Sequence, residues 1–246
     1  MDPPRLAALA IDVAIHPIPA GRLFAALGLN VARLADSVEL RLDDGVVVRL
    51  TQTTTPSRVG LTFAVRDLGE VAKALNSLGI EWTVTGPDVI RVECQRPATL
   101  PPRGRWSATA LERGALTIDV TELETGHTGL VAVTMFVTDV INASSQFWMS
   151  IGVGVMGAPD GPDDAQGAVD MWLKNCANRL RDRAAAPATV VHMVMRAEDP
   201  MSSTLGLDHA GWPYERDGDS IMTRTPDGCG VRVTPERRGV DPAPTR

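Results

Sequence analysis

Apolar positions along this chain repeat with two periods, and the two periods follow one another in the same order more than once. Positions 8 to 15 read as a strand, Pro19 to Leu27 as a short helix, and Ser37 to Leu50 as two strands around the turn Asp43-Asp44-Gly45. A strand over Gly60 to Val65 then leads into the clearest helical stripe of the chain: Leu68, Val71, Ala72, Leu75 and Leu78. Asp67 is placed to cap its start and Gly79 to stop it. Strands over Trp82 to Thr85 and Val89 to Cys94 follow, joined by Gly86-Pro87-Asp88.

A third pass runs from a strand at Leu130 to Val137 into a helix at Val140 to Ser150 that turns Phe147 and Trp148 inward. Gly157 to Gly167 then reads as a loop and Ala168 to Arg183 as an amphipathic helix. Val169, Trp172, Leu173, Cys176 and Leu180 lie on one face of that helix, with Lys174, Arg179, Arg181 and Arg183 gathered toward its C-terminus. The fourth pass begins at Val190 to Met195 and leaves little room for a helix before Leu205. It ends in strands near Tyr214, Ser220 to Arg224 and Val231 to Thr234, with turns at Arg216-Asp217-Gly218-Asp219 and Pro226-Asp227-Gly228.

Leu27-Gly28-Leu29, Leu78-Gly79-Ile80, Ile151-Gly152-Val153 and Leu205-Gly206-Leu207 mark the four passes, and Asp67, Asp139 and Asp199 close the apolar run in three of them. One unit used four times is the reading that follows. The stretch Gln95 to Arg105, with Pro97, Pro101, Pro102 and Gly104, reads as a linker. It divides a two-unit domain at 1–95 from a two-unit domain at 106–235. Residues 106–127, read as a short helix and a strand at Leu116 to Val120 within Ala108 to Glu124, have no counterpart in the first half, and 236–246 reads as a disordered tail.

With 246 residues, 44% hydrophobic and 22% charged, the chain can bury a full core. Its net charge of −6 and pI near 5.2 exclude nucleic acid and anionic membrane surfaces as partners, since both call for a basic face. The first apolar stretch ends at Asp12, too soon for a signal peptide or a membrane span. Three scattered cysteines, Cys94, Cys176 and Cys229, read as reduced structural thiols, and the cytoplasm is the expected location. Gly152-Val-Gly154-Val-Met-Gly157 has the letters of a dinucleotide fingerprint but follows a helix where a strand is required.

A strand, an Asp-started helix ending in Leu-Gly, and a strand meander with a Pro-Asp-Gly turn resemble the βαβββ module of the vicinal oxygen chelate superfamily. That superfamily includes glyoxalases, bleomycin-resistance proteins and extradiol dioxygenases. The best local match runs from Val137-Thr138-Asp139 through Ala143, Phe147-Trp148 and Ile151-Gly152. The resemblance implies an α+β fold of tandem βαβββ modules, paired into two glyoxalase-like domains whose cupped mixed sheets carry helices on the outside. It also implies a divalent metal, held by His, Gln or Glu on first strands and by a Glu on a last strand.

The first-strand ligand position falls on Gly60, Ala132 and His192, and the last-strand position on Glu93 and Arg232. His192 and Glu93 are thus the metal-ligand candidates, in different halves. Arg49, Arg91 and Arg232 fall on expected last strands and, with Trp148, are the candidates for binding an anionic small molecule. The expectation is a protein that binds a small organic molecule, expects no cofactor and has lost the metal centre. Its rivals are a metal-dependent lyase, isomerase or dioxygenase using His192 and Glu93, and a non-catalytic protein-interaction module presenting the 168–183 helix. Exposed edge strands leave a homodimer open.

Overall fold

The structure, a computed structural model, describes residues 3–13, 17–52, 59–97, 111–122, 128–137, 144–156, 168–182 and 191–236. Among them, strands and helices succeed one another in four groups of the same order. The first is β1 (Arg5–Val13), α1 (Pro17–Ala26), β2 (Asn30–Arg33), β3 (Ser37–Arg41) and β4 (Val47–Gln52). The second is β5 (Val59–Val65), α2 (Leu68–Ser77), β6 (Thr83–Gly86), β7 (Val89–Pro97) and β8 (Leu111–Glu122). The third is β9 (Gly129–Val137), α3 (Ser145–Ser150), β10 (Gly154–Met156), β11 (Ala168–Trp172) and β12 (Ala177–Asp182). The fourth is β13 (Val191–Ala197), α4 (Ser202–Ala210), β14 (Tyr214–Asp217), β15 (Ser220–Arg224) and β16 (Gly230–Pro235).

Within each group the first strand lies parallel to the last, and the remaining strands meander antiparallel outward to an edge. The groups combine into two mixed eight-stranded sheets, β14-β15-β16-β13-β1-β4-β3-β2 and β10-β11-β12-β9-β5-β8-β7-β6. At each centre two first strands meet antiparallel, β1 on β13 and β5 on β9, each pair with one irregularity in register. The architecture is α+β, two paired-module sheets with few helices.

Strand pairing does not follow the division expected at the proline-rich stretch. The first group pairs with the fourth and the second with the third. Arg96 and Pro97 of β7 pair with Glu112 and Leu111 of β8, so the strands on either side of 98–110 are neighbours in one sheet. Residues 98–110 themselves lie outside the described residues, as do 157–167 and the tail from 237. The segment expected to lack a counterpart supplies β8, the last strand of the second group: Leu116, Ile118 and Val120 enter the core while Thr117, Asp119 and Thr121 alternate with them.

Two further expectations are corrected. The helix expected at 168–183 is the hairpin β11–β12, with Met171 and Leu173 buried and Trp172 exposed between them. A helix does form in the fourth group, and Leu205-Gly206-Leu207 lies inside it, not at its end.

Each helix closes the same way. Gly28, Gly79, Gly152 and Gly211 adopt positive φ, and the next residue donates its N–H to a carbonyl five residues back: Leu29 to Phe24, Ile80 to Leu75, Val153 to Trp148 and Trp212 to Leu207. At the opposite end of α2, Asp67 accepts from the N–H of Glu70 at 2.9 Å.

The inward faces of both sheets and the apolar sides of the helices form one continuous core. Phe24 of α1 meets Phe63 of β5 edge-to-face, ring centres 6.0 Å apart. Hairpin turns tie the sheets together. Asp43 exchanges backbone and side-chain hydrogen bonds with Thr128, and Asn175 grips the backbone of Leu6 through both its amide atoms. Ser144 donates its hydroxyl to Asp227 at 2.8 Å. No helix among the described residues is long and apolar enough to cross a membrane.

Candidate functional site

Strand alternation sends Leu9, Ile11, Val48, Leu50, Met193 and Val231 into the core, which leaves the opposite face of the first sheet for other residues. Register places them in rungs. One rung runs Glu39, Arg49, Ala10, His192, Gly230 across β3, β4, β1, β13 and β16. The next runs Val47, Ala8, Val194, Arg232, and a third sets Arg5, Arg196 and Thr234 side by side. The centre is a floor of small side chains, Ala8, Ala10, Val47, Val194 and Gly230, all partly exposed. Around it stand Arg49, Arg196 and Arg232, all exposed, and the imidazole of His192.

The imidazole of His192 is set down across β16. A Cβ on Gly230 would come within 2.4 Å of His192 Nδ1, so glycine is what lets the ring lie there. Arg49 donates to Glu39 Oε2 at 2.6 Å, and Arg41 reaches Oε1 of the same carboxylate at 3.0 Å. Glu39 is buried although charged, and Arg49 first, then Arg41, holds its carboxyl below the usual range. Arg232 donates to Asp217 Oδ2 at 2.5 Å across the edge of the sheet. Arg5, opposite Arg196, turns its guanidinium to the carbonyl of Asp44.

The corresponding face of the second sheet differs in character. Its centre, Thr62, Ala132 and Ala177, is buried. Arg91 stands there on β7, a third strand, and makes a two-pronged contact with Asp119 at 2.7 and 2.9 Å. Glu93, also on β7, pairs in register with Thr117. His192 and Glu93 are therefore on different sheets and do not come together. Trp148 is fully buried in α3, edge-to-face with Phe147 at 5.6 Å, and Phe147 meets Trp212 at 5.8 Å. Of the four residues expected to bind an anionic molecule, the open face carries Arg49 and Arg232, and beside them it carries His192, expected as a metal ligand.

Glu39, Arg196 and the alanine floor escaped the sequence reading, though the alternation His192, Val194, Arg196 against Val191, Met193, Met195 was there to see.

Comparison of the sequence with family models and with curated proteins finds no match. Solved structures do match over nearly the whole chain. A candidate dioxygenase from Bacillus subtilis is 12% identical with a TM-score of 0.62, covering 97% of this chain and 87% of its own. Glyoxalase I from Zea mays is 13% identical with a TM-score of 0.59, covering 94% and 92%. The cppA protein of Streptococcus pneumoniae is 8% identical with a TM-score of 0.52, covering 94% and 99%. The fold is that of these glyoxalase I and candidate dioxygenase structures.

The resemblance noted in the sequence implies a divalent metal, and the donor set of the open face can be tested against it. On the open face the first strands bring Ala10 and His192 to one rung, and the last strands bring Arg49 and Gly230 beside them. A guanidinium is a permanent cation without a lone pair to give. The carboxylate of that rung, Glu39, is held by two arginines. Among the described residues no three of His, Cys, Asp and Glu converge. These residues do not fit the metal.

Proposed function

We propose that the open face of the first sheet binds a small organic molecule through its own side chains, without a resident metal. One observation carries this reading: a partly exposed floor of small residues, Ala8, Ala10, Val47, Val194 and Gly230, enclosed by hydrogen-bond donors at the positions where the fold's metal ligands are expected. A small-residue floor leaves volume for a ligand, and donors at its margin fix orientation. The neighbours in fold, a glyoxalase I and a candidate dioxygenase, support a small-molecule role for this face and leave its chemistry open.

Filling the floor tests the reading. Ala10→Trp, in a face that is not part of the core, is expected to leave the thermal midpoint within a few degrees of the parent. In a ligand-observed NMR screen of small organic acids and alcohols, it is expected to remove the signals of bound compounds. Hits retained unchanged in Ala10→Trp and in Ala8→Trp would place binding elsewhere.

A further inference from the structure

Resting on the reading above, we infer that Arg196, Arg232 and His192 form the seat of an anionic group, a carboxylate or phosphate, carried by the molecule that binds the open face. The three residues flank Val194 on one face of the sheet. Arg232 is directly opposite Val194 on the neighbouring parallel strand, and His192 and Arg196 are two residues before and after it on the same face. Strand spacing and rise put each of them about 8 Å from Arg232 between Cα atoms. Arginine side chains span that gap easily, so both guanidiniums and an imidazole N–H can reach one group over Val194.

Charge points the same way. Asp217 answers Arg232, and it does so from the sheet edge, away from the floor. Arg5, the cross-strand neighbour of Arg196, is committed to the Asp44 carbonyl, and Arg196 makes no ion pair among the described residues. Two arginines and a histidine thus flank one valine, and Asp217 is the carboxylate that pairs with them among the described residues. The fork of a guanidinium matches two oxygens of a carboxylate or phosphate, which makes Arg196 and Arg232 suited to hold such a group in a fixed direction. The small side chain of Val194, flanked by Ala8, leaves the space above the strand for it.

The test is a set of amide NMR titrations at constant ionic strength with inorganic phosphate, acetate and the neutral probe benzyl alcohol. Parent protein is compared with Arg196→Gln and with Arg22→Gln on the exposed side of α1 as a control. The expected result is a saturable shift of His192, Val194 and Thr234 with phosphate or acetate, weakened at least tenfold in Arg196→Gln and unchanged in Arg22→Gln. Response to phosphate alone assigns a phosphate-bearing ligand, and response to acetate alone a carboxylate. Anion binding that is indifferent to Arg196→Gln overturns the assignment. Benzyl alcohol shifting Ala8 and Ala10 while neither anion binds also overturns it and leaves the face a small-molecule site. No response to any probe at this face overturns both.

Discussion

Gly206 is fixed by an atom that belongs to another helix. A Cβ there would sit 2.0 Å from the carbonyl oxygen of Ser150, so α3 and α4 can lie against each other only because this position has no side chain. The neighbour is backbone, which cannot swing aside. Gly206→Ala is expected to destabilise the protein by about 1–3 kcal/mol in urea unfolding, at the scale of other overpacked contacts. In sequence the same glycine looks like a helix stop, because a glycine between two aliphatic residues marks the helix ends in earlier passes. The contact that keeps it inside a helix comes from 56 residues earlier in the chain and leaves no local trace. The cysteines were legible by contrast. Burial pushes the thiols of Cys176 and Cys229 up to about 12, so neither is a nucleophile near neutral pH. In a Cys94→Ser protein, a thiol reagent at pH 8 is expected to react only after unfolding. Rapid native reaction at either cysteine would contradict the described burial.

Elements whose ends are written in short-range chemistry were read correctly, and those whose identity depends on a distant partner were not. The Asp67 cap and the glycine after α2 lie within one helix and announce it. The β11–β12 hairpin carries apolar residues at both helical and alternating spacing, and its turn, Leu173 to Cys176, contains neither Gly nor Pro. What decides the outcome is β9, against which β12 pairs, and Leu6, whose N–H and carbonyl are both taken by the Asn175 side chain at 2.8 and 3.0 Å. The segment named as an example of a protein-interaction surface is therefore a hairpin and not a helix. Asn175→Ala is expected to cost about 1–3 kcal/mol by thermal or urea unfolding, since it leaves two partly buried backbone groups without their partner.

The β3–β4 turn is a second such tie. Asp43 is held below the usual carboxylate range by the backbone N–H of Thr128 first and then by Arg66. Glu39 is held down by Arg49 and Arg41. A carboxyl whose folded pKa is depressed contributes stability that is present above its unfolded pKa and lost as pH falls through the folded value. The urea midpoint should therefore fall as pH drops from about 5 toward 3, and Asp43→Asn should fall less steeply than the parent over that range. Parallel slopes would remove Asp43 from the account.

At the scale of the molecule, the first group completes its sheet with the fourth and the second with the third. Repetition in the sequence announced the four groups, but not which partners they take, because any first strand of this unit can pair with any other. The proline-rich stretch marks a break in regular structure, and prolines disfavour a strand interior without saying which strands pair on either side of it. A chain cut within 98–110 would leave β1 and β5 without β13 and β9 at the sheet centres. The separate pieces 1–100 and 108–246 are expected to show no cooperative unfolding alone and to regain it on mixing. Two independently cooperative pieces would reinstate the original division.

The pairing of first with fourth group also creates the open face, since Ala8 and Ala10 come from one and His192 and Val194 from the other. The most direct test of that face is methyl NMR of the intact protein with the small organic acids and alcohols of the screen, run with and without a chelator. Shifts confined to Ala8, Ala10, Val47 and Val194 that persist in the chelator are the predicted result. Shifts centred elsewhere, or binding that disappears with chelation and returns with a divalent ion, would contradict it.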